Sequence, residues 1–332
     1  MSVRAAMGGL LAVGLTAVGA FALPENPVFP GGTPDPTCWR APDGTWRLSS
    51  TSLRILKSAD FFTWQDTGRR LFAREDEQRI RSRWRHIWAP DVIKIGNDYH
   101  LYVTHINGAD DSAIFVYTSK SAEGPFTGGR QLTYGRDTGI IDTIDPEVVR
   151  DPATSRLWLF FGSTGRIHRV PLASDGLSLA PGAKPEPVAG RHVRENPNRL
   201  KVFEGTYLHR RNGWWYLFAS RGRYADWSYA IVVGRAKKLT DDFLDREGRP
   251  MKDGYGTVIL SSERGEAFFG PGHNAEIVTI GNHDFLPFHC HVEGPRAGAR
   301  PLFIQEIFWG RDGWPYFSPS KPQRNIKEKG KK

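Results

Sequence analysis

Cysteine is almost missing from this 332-residue chain, with Cys38 and Cys290 the only two. That excludes a disulfide framework and any metal site built from paired cysteines, and leaves either one bridge or two buried thiols. Long apolar runs are scarce as well, with one exception at the N-terminus. There Arg4 precedes a small and apolar stretch from Ala5 to Ala20, and Ala20-Phe21-Ala22 has the small-x-small pattern of a signal-peptidase site. Residues 1–22 are therefore predicted to be an export signal, with an uncleaved anchor as the alternative; the many Gly and Ala make the run weakly hydrophobic for a membrane span. The mature protein is expected to be secreted or periplasmic and free of the membrane. Nor does one sign of charge dominate the body of the chain. The net charge is +9, but part of the excess is Lys321, Arg324, Lys327, Lys329, Lys331 and Lys332 against Glu328 alone. Residues 319–332 are expected to be a disordered basic end, and the interleaved charges elsewhere argue against a nucleic-acid partner.

Aromatic residues are abundant. They make up 12% of the chain within a hydrophobic share of 39%, which supports a sizeable core and excludes intrinsic disorder. Eleven tryptophans are many for this length. Most such rings pack in cores or at rims. A sugar-binding protein needs some of them exposed, because pyranose and furanose faces present C–H groups to aromatic rings.

Internal periodicity sets the architecture. Five segments repeat a polar turn followed by a short aromatic and aliphatic run, with Trp46, Tyr99, Trp158, Trp215 and Phe285 as markers. The steps between markers are 53, 59, 57 and 70 residues. Each run is too short for a helix and follows a hairpin-type turn. A second strand-like element follows most of them, as in Leu56 to Asp60, Val116 to Lys120 and Val233 to Lys237. About four strands per repeat, five times over, predicts an all-β, five-bladed β-propeller with four-stranded blades spanning residues 23–318. No long amphipathic helix interrupts the series, and residues 302–307 and 313–317 read as closing strands of the last blade.

Counting back from each marker finds a polar residue in every repeat: Asp35, Asp91, Asp145, Glu204 and His273. In a propeller this phase is the start of the innermost strand, beside the central axis. Four acids and one histidine are thereby predicted to face one funnel. Carboxylates gathered in this way repel one another, so one or more should hold its proton more tightly than usual, the condition a general acid needs. Two carboxylates across a scissile bond are the minimal machinery of glycoside hydrolysis. Each Asp-Pro taken singly is also a common turn pair. Asp151, in Arg150-Asp151-Pro152, is read as such a turn.

At these residues the chain resembles glycoside hydrolase family 43, in particular its arabinanase-like branch. The resemblance runs from about Asn26 to Phe317 and is carried by Asp35-Pro36, Trp88-Ala89-Pro90-Asp91, Ile144-Asp145-Pro146, Phe160-Phe161-Gly162-Ser163, Glu204-Gly205 and Gly270-Pro271-Gly272-His273. It implies an inverting hydrolase of arabinose-containing polysaccharides or oligosaccharides. Asp35 would be the general base, Glu204 the general acid, and Asp145 the residue that raises the pKa of Glu204 and holds it in position. His273 would help hold an axial calcium ion together with waters, or serve as an axial histidine without metal. Trp88 and Asp91 would line the sugar cleft. Pro34 stands where many arabinanases have His, and Thr164-Gly165-Arg166 replaces an aromatic. Residues 221–227 stand in place of a cysteine pair. These departures leave exo action on galactofuranosyl, galactosyl or xylosyl linkages, or a non-catalytic carbohydrate-binding propeller, as alternatives.

Overall fold

Each of the five repeats is an antiparallel meander in the computed structural model, which describes residues 25–195, 202–263, 268–292 and 298–318. The expected signal at 1–22 and basic end at 319–332 lie outside the described residues. Blade one holds β1 (Thr37–Arg40), β2 (Trp46–Ser49), β3 (Arg54–Ser58) and β4 (Gln65–Arg70). Blade two holds β5 (His86–Ile95), β6 (Asp98–Gly108), β7 (Asp111–Ser119) and β8 (Thr127–Tyr134). Blade three holds β9 (Glu147–Arg150), β10 (Leu157–Phe161), β11 (Ile167–Pro171) and β12 (Glu186–Ala189). Blade four holds β13 (Phe203–Arg211), β14 (Trp214–Arg221), β15 (Ala230–Ala236) and β16 (Thr257–Leu260). Blade five is ordered β17 (Phe268–Gly272), β19 (His283–Val292), β20 (Leu302–Trp309) and β21 (Pro315–Tyr316), with the short β18 (Val278–Ile280) also paired to β19. All five aromatic markers fall on the second full strand of their blade, as the repeat predicts.

The continuous apolar runs exist because these strands are buried on both faces. In β10, Leu157, Leu159 and Phe161 pack toward blade two, and the alternate Trp158 and Phe160 pack toward blade four. In β14, Trp215 and Leu217 face blade three, whereas Tyr216 and Phe218 face blade five. Burying each such side chain contributes about 1.5–3 kcal/mol. The core is accordingly five seams, one between each pair of neighbouring blades, rather than one central mass. The circle closes where the N-terminal segment lies along β20. Asn26 exchanges two 2.8 Å hydrogen bonds with the backbone of Ile304, and Phe29 bridges Leu302.

One element departs from expectation. Helix α1 (Arg74–Arg83) connects blades one and two. None of its residues is buried, so it has no apolar stripe for periodicity to reveal. Cys38 and Cys290 are both buried and no disulfide joins them.

Candidate active site

The innermost strands enter the axis through a left-handed residue in every blade: Asp35, Ala89, Asp145, Gly205 and His273, with φ between 44° and 60°. This backbone region is sparsely used by residues other than glycine, and its recurrence at one phase marks a site held by its surroundings. Each of these residues is anchored through its N–H by a neighbouring side chain. The acceptors are His289 Nδ1 for Asp35, Thr51 Oγ1 for Ala89, Thr104 Oγ1 for Asp145, Asp145 Oδ2 for Gly205 and Ser220 Oγ for His273, at 2.7–3.1 Å. Four of them, Thr51, Thr104, Ser220 and His289, stand four or five residues after an aromatic marker. Ser163 occupies the same place in blade three but donates to Glu204 Oε2 at 2.5 Å. That second phase is the signal by which these anchors could have been found from sequence.

Asp35, Asp145 and His273 are thus brought together. Nδ1 of His273 lies 3.2 Å from Asp35 Oδ1 and 3.9 Å from Asp145 Oδ2. Arg300 donates to Asp35 Oδ1 at 3.2 Å, and the Thr51 hydroxyl donates to Asp35 Oδ2 at 2.7 Å. Burial pushes the Asp35 carboxyl up, but Arg300, His273 and His289 together outweigh it and hold the group well below the usual carboxylate range. Asp145 is different. Burial raises it, His273 pulls it down, and repulsion from Glu204 and Asp35 adds to the rise, leaving it at about 7. His273 is lowered by burial and raised more by Asp145 and Asp35, to about 9.

Glu204 joins the cluster from one residue before the left-handed position. Tyr229 donates its hydroxyl to Glu204 Oε1 at 2.9 Å, opposite the Ser163 contact. Asp145 accepts the N–H of Gly205, the peptide that follows Glu204, and so fixes where Glu204 leaves the backbone. Tyr229, Ser163, Arg300 and Thr51 escaped the sequence reading because none is an acid at the axial phase.

Asp91 is not in this group. A bulge between Trp88 and Asp91 places it two residues beyond Ala89, deeper along the strand. It is 4% exposed and accepts the Val148 N–H at 2.8 Å. It belongs to a second ring, in which an N–H on the inner strand of each blade, or just after it in blade five, is received by a side chain of the blade before it. The pairs are Val92 to Thr37, Val148 to Asp91, Leu208 to Glu147, Ile277 to Tyr207 and Cys38 to Glu276, at 2.6–3.5 Å. The ring leaves Asp91 no path to a sugar in the cleft. Trp88 is partly exposed and stacks on His86 with centroids 5.4 Å apart.

For an axial calcium ion the available donor is the His273 ring nitrogen not directed at Asp35, since Asp35 and Asp145 are engaged by protein donors. Among the described residues no group of three or more His, Cys, Asp or Glu side chains is arranged to hold a metal. An ion here fits only with water supplying most of its shell, a coordination that calcium accepts.

Comparison with known proteins bears on this geometry. The sequence profile of Glycosyl hydrolases family 43 matches residues 24–315. An extracellular exo-α-(1→5)-L-arabinofuranosidase of Cellvibrio japonicus is 29% identical over 305 residues, covering 85% of each chain. An extracellular endo-α-(1→5)-L-arabinanase of Bacillus subtilis is 28% identical, covering 82% of each. The structure of a Cellvibrio cellulosa α-L-arabinanase complexed with arabinohexaose superposes with a TM-score of 0.72 at 27% identity, over 86% of this chain and 95% of that one.

Proposed function

This chain belongs to glycosyl hydrolases family 43, and from that premise we propose that it is an inverting hydrolase of α-1,5-linked arabinofuranosyl chains, exported to act outside the cell. It is a glycoside hydrolase by family; the arabinan substrate is supported by relatives of both exo and endo type. Export is supported by the extracellular relatives and by the N-terminal run. Among the described residues no helix is long and apolar enough to cross a membrane.

The observation that carries the reading is two carboxyl groups at one axis in different company, Asp35 beside cations and Glu204 between two hydroxyls. Asp35 is kept ionised by Arg300, His273 and Thr51, which suits a base that takes a proton from water as its oxygen attacks the anomeric carbon. Glu204 would deliver a proton to the departing glycosidic oxygen as the C–O bond breaks. Tyr229 and Ser163 each touch one of its oxygens, and a hydroxyl can donate or accept, so the pair can hold this side chain in both protonation states. Asp145, through the Gly205 N–H, positions the acid. A calcium ion, if bound, would be held by the neutral form of His273 together with waters and would supply positive charge in place of the imidazolium's. Every proton in the steps above is moved by the chain's own residues.

Incubating the protein with arabinan, galactan and xylan tests the substrate class. Arabinose or arabino-oligosaccharides should appear from the first alone. Glu204→Gln should lower turnover of arabino-oligosaccharides by about 10²–10⁴-fold and spare aryl arabinosides with good leaving groups. Full activity on oligosaccharides would remove Glu204 from its role.

A further inference from the structure

The residues from Arg221 to Tyr229 join the end of β14 to the start of β15, on the side of blade four where Glu204 enters. The backbone of this loop is pinned. Asp226 Oδ1 accepts both the N–H and the hydroxyl of Ser228, at 2.9 and 2.5 Å. His291 Nε2 donates to the Tyr224 carbonyl at 2.5 Å, and the Ser262 hydroxyl donates to the Trp227 carbonyl at 3.3 Å. A Cβ on Gly222 would lie 2.3 Å from the Ser228 carbonyl, so the turn needs glycine. On this fixed frame the rings of Tyr224 and Trp227 are 55% and 49% exposed, two of the five exposed large hydrophobic side chains among the described residues.

The Tyr224 ring lies against a residue that holds a reacting group, and Trp227 belongs to the same loop. The Arg300 guanidinium lies 5.4 Å from the centre of the Tyr224 ring while it donates to Asp35. Trp227 is two residues from Tyr229, whose hydroxyl touches Glu204. An exposed ring beside the Arg300–Asp35 pair lies at the mouth of the site, where sugar units flanking the reacting one pass. We propose that the loop carrying Tyr224 and Trp227 is a stacking platform for arabinose units beyond the one being cleaved. The proposal rests on the hydrolase reading above and adds to it how chain length is sensed. Because the backbone is already held, little ordering entropy opposes the stacking of a sugar face on the rings.

The test compares kcat/KM on arabinohexaose with kcat/KM on arabinobiose, for the wild type, Tyr224→Ala, Trp227→Ala and Trp227→Phe. Each alanine variant should lower the hexaose-to-biose ratio by about three- to tenfold, mostly through KM, and Trp227→Phe should keep most of it. A ratio equal to that of an active wild type in both alanine variants would overturn the platform and leave the hydrolase reading standing. No hydrolysis by the wild type would overturn both.

Discussion

Two layers of carboxyl groups share the propeller axis, and only the outer one has cations among its partners. In the outer layer Asp35 and Asp145 meet the cations Arg300 and His273, and Glu204 meets two hydroxyls. In the inner layer Asp91, Glu147 and Glu276 face one another, with Thr37, Cys38 and Tyr207 around them and no cation among the groups that shift them. Burial raises all three, and mutual repulsion raises Asp91 and Glu147 further. The inner carboxyls all hold their protons, whereas the outer layer keeps Asp35 ionised and raises Asp145, which has Glu204 and Asp35 as well as His273 for neighbours. Counter-charge offsets burial only where it outweighs the neighbouring carboxyls.

The contrast breaks most visibly with Asp35→Asn. That variant should cut hydrolysis of arabinan by about 10²–10⁴-fold, measured as reducing-sugar release, and lower the thermal midpoint as well, because Arg300 and His273 lose their buried counter-charge. Activity near the wild-type level would leave the outer layer without its base. Thr51→Val should have a smaller effect, because the hydroxyl links the Ala89 N–H to Asp35. Loss of about tenfold in kcat/KM is expected from removing one hydrogen bond to a charged group.

The inner layer sharpens the comparison through pH. Its carboxyls bind protons more tightly folded than unfolded, so the native state carries more protons once the pH passes the ordinary carboxylate range. Stability contributed by these groups is therefore complete below that range and is lost as the pH rises through their folded values. In calorimetry from pH 5 to 8 this is a falling contribution, set against the rising one of buried histidines held neutral, such as His105, His168 and His209. Glu147→Gln keeps an acceptor for the Leu208 N–H and removes one repelling charge; it should flatten the decline, by on the order of 3 °C at the alkaline end. A Glu147→Gln midpoint that does not gain on the wild type as the pH rises would contradict this account of the ring.

Much of this was legible in the sequence because strand burial on both faces forces unbroken apolar runs, and five such runs at a near-constant step admit few folds. Asp35, Asp145 and His273 were legible because a left-handed entry residue beside Pro or Gly repeats at one phase. Asp91 was assigned to the wrong layer because it stands 8 residues before its marker where the other four stand 11–13 before theirs, and Ala89, which holds the axial position, carries no polar side chain to flag it. Arg300 was out of reach, since it meets Asp35 across 265 residues of chain and no repeat links them. Helix α1 was missed for want of any buried face.

The most direct measurement of the central claim follows the anomeric proton of the first product released from an α-1,5-arabino-oligosaccharide by NMR. With Asp35 delivering water from the face opposite Glu204, the new reducing end should appear first as the β-anomer and then mutarotate. Initial release of the α-anomer would mean a retained configuration, and with it a different division of labour among these carboxylates.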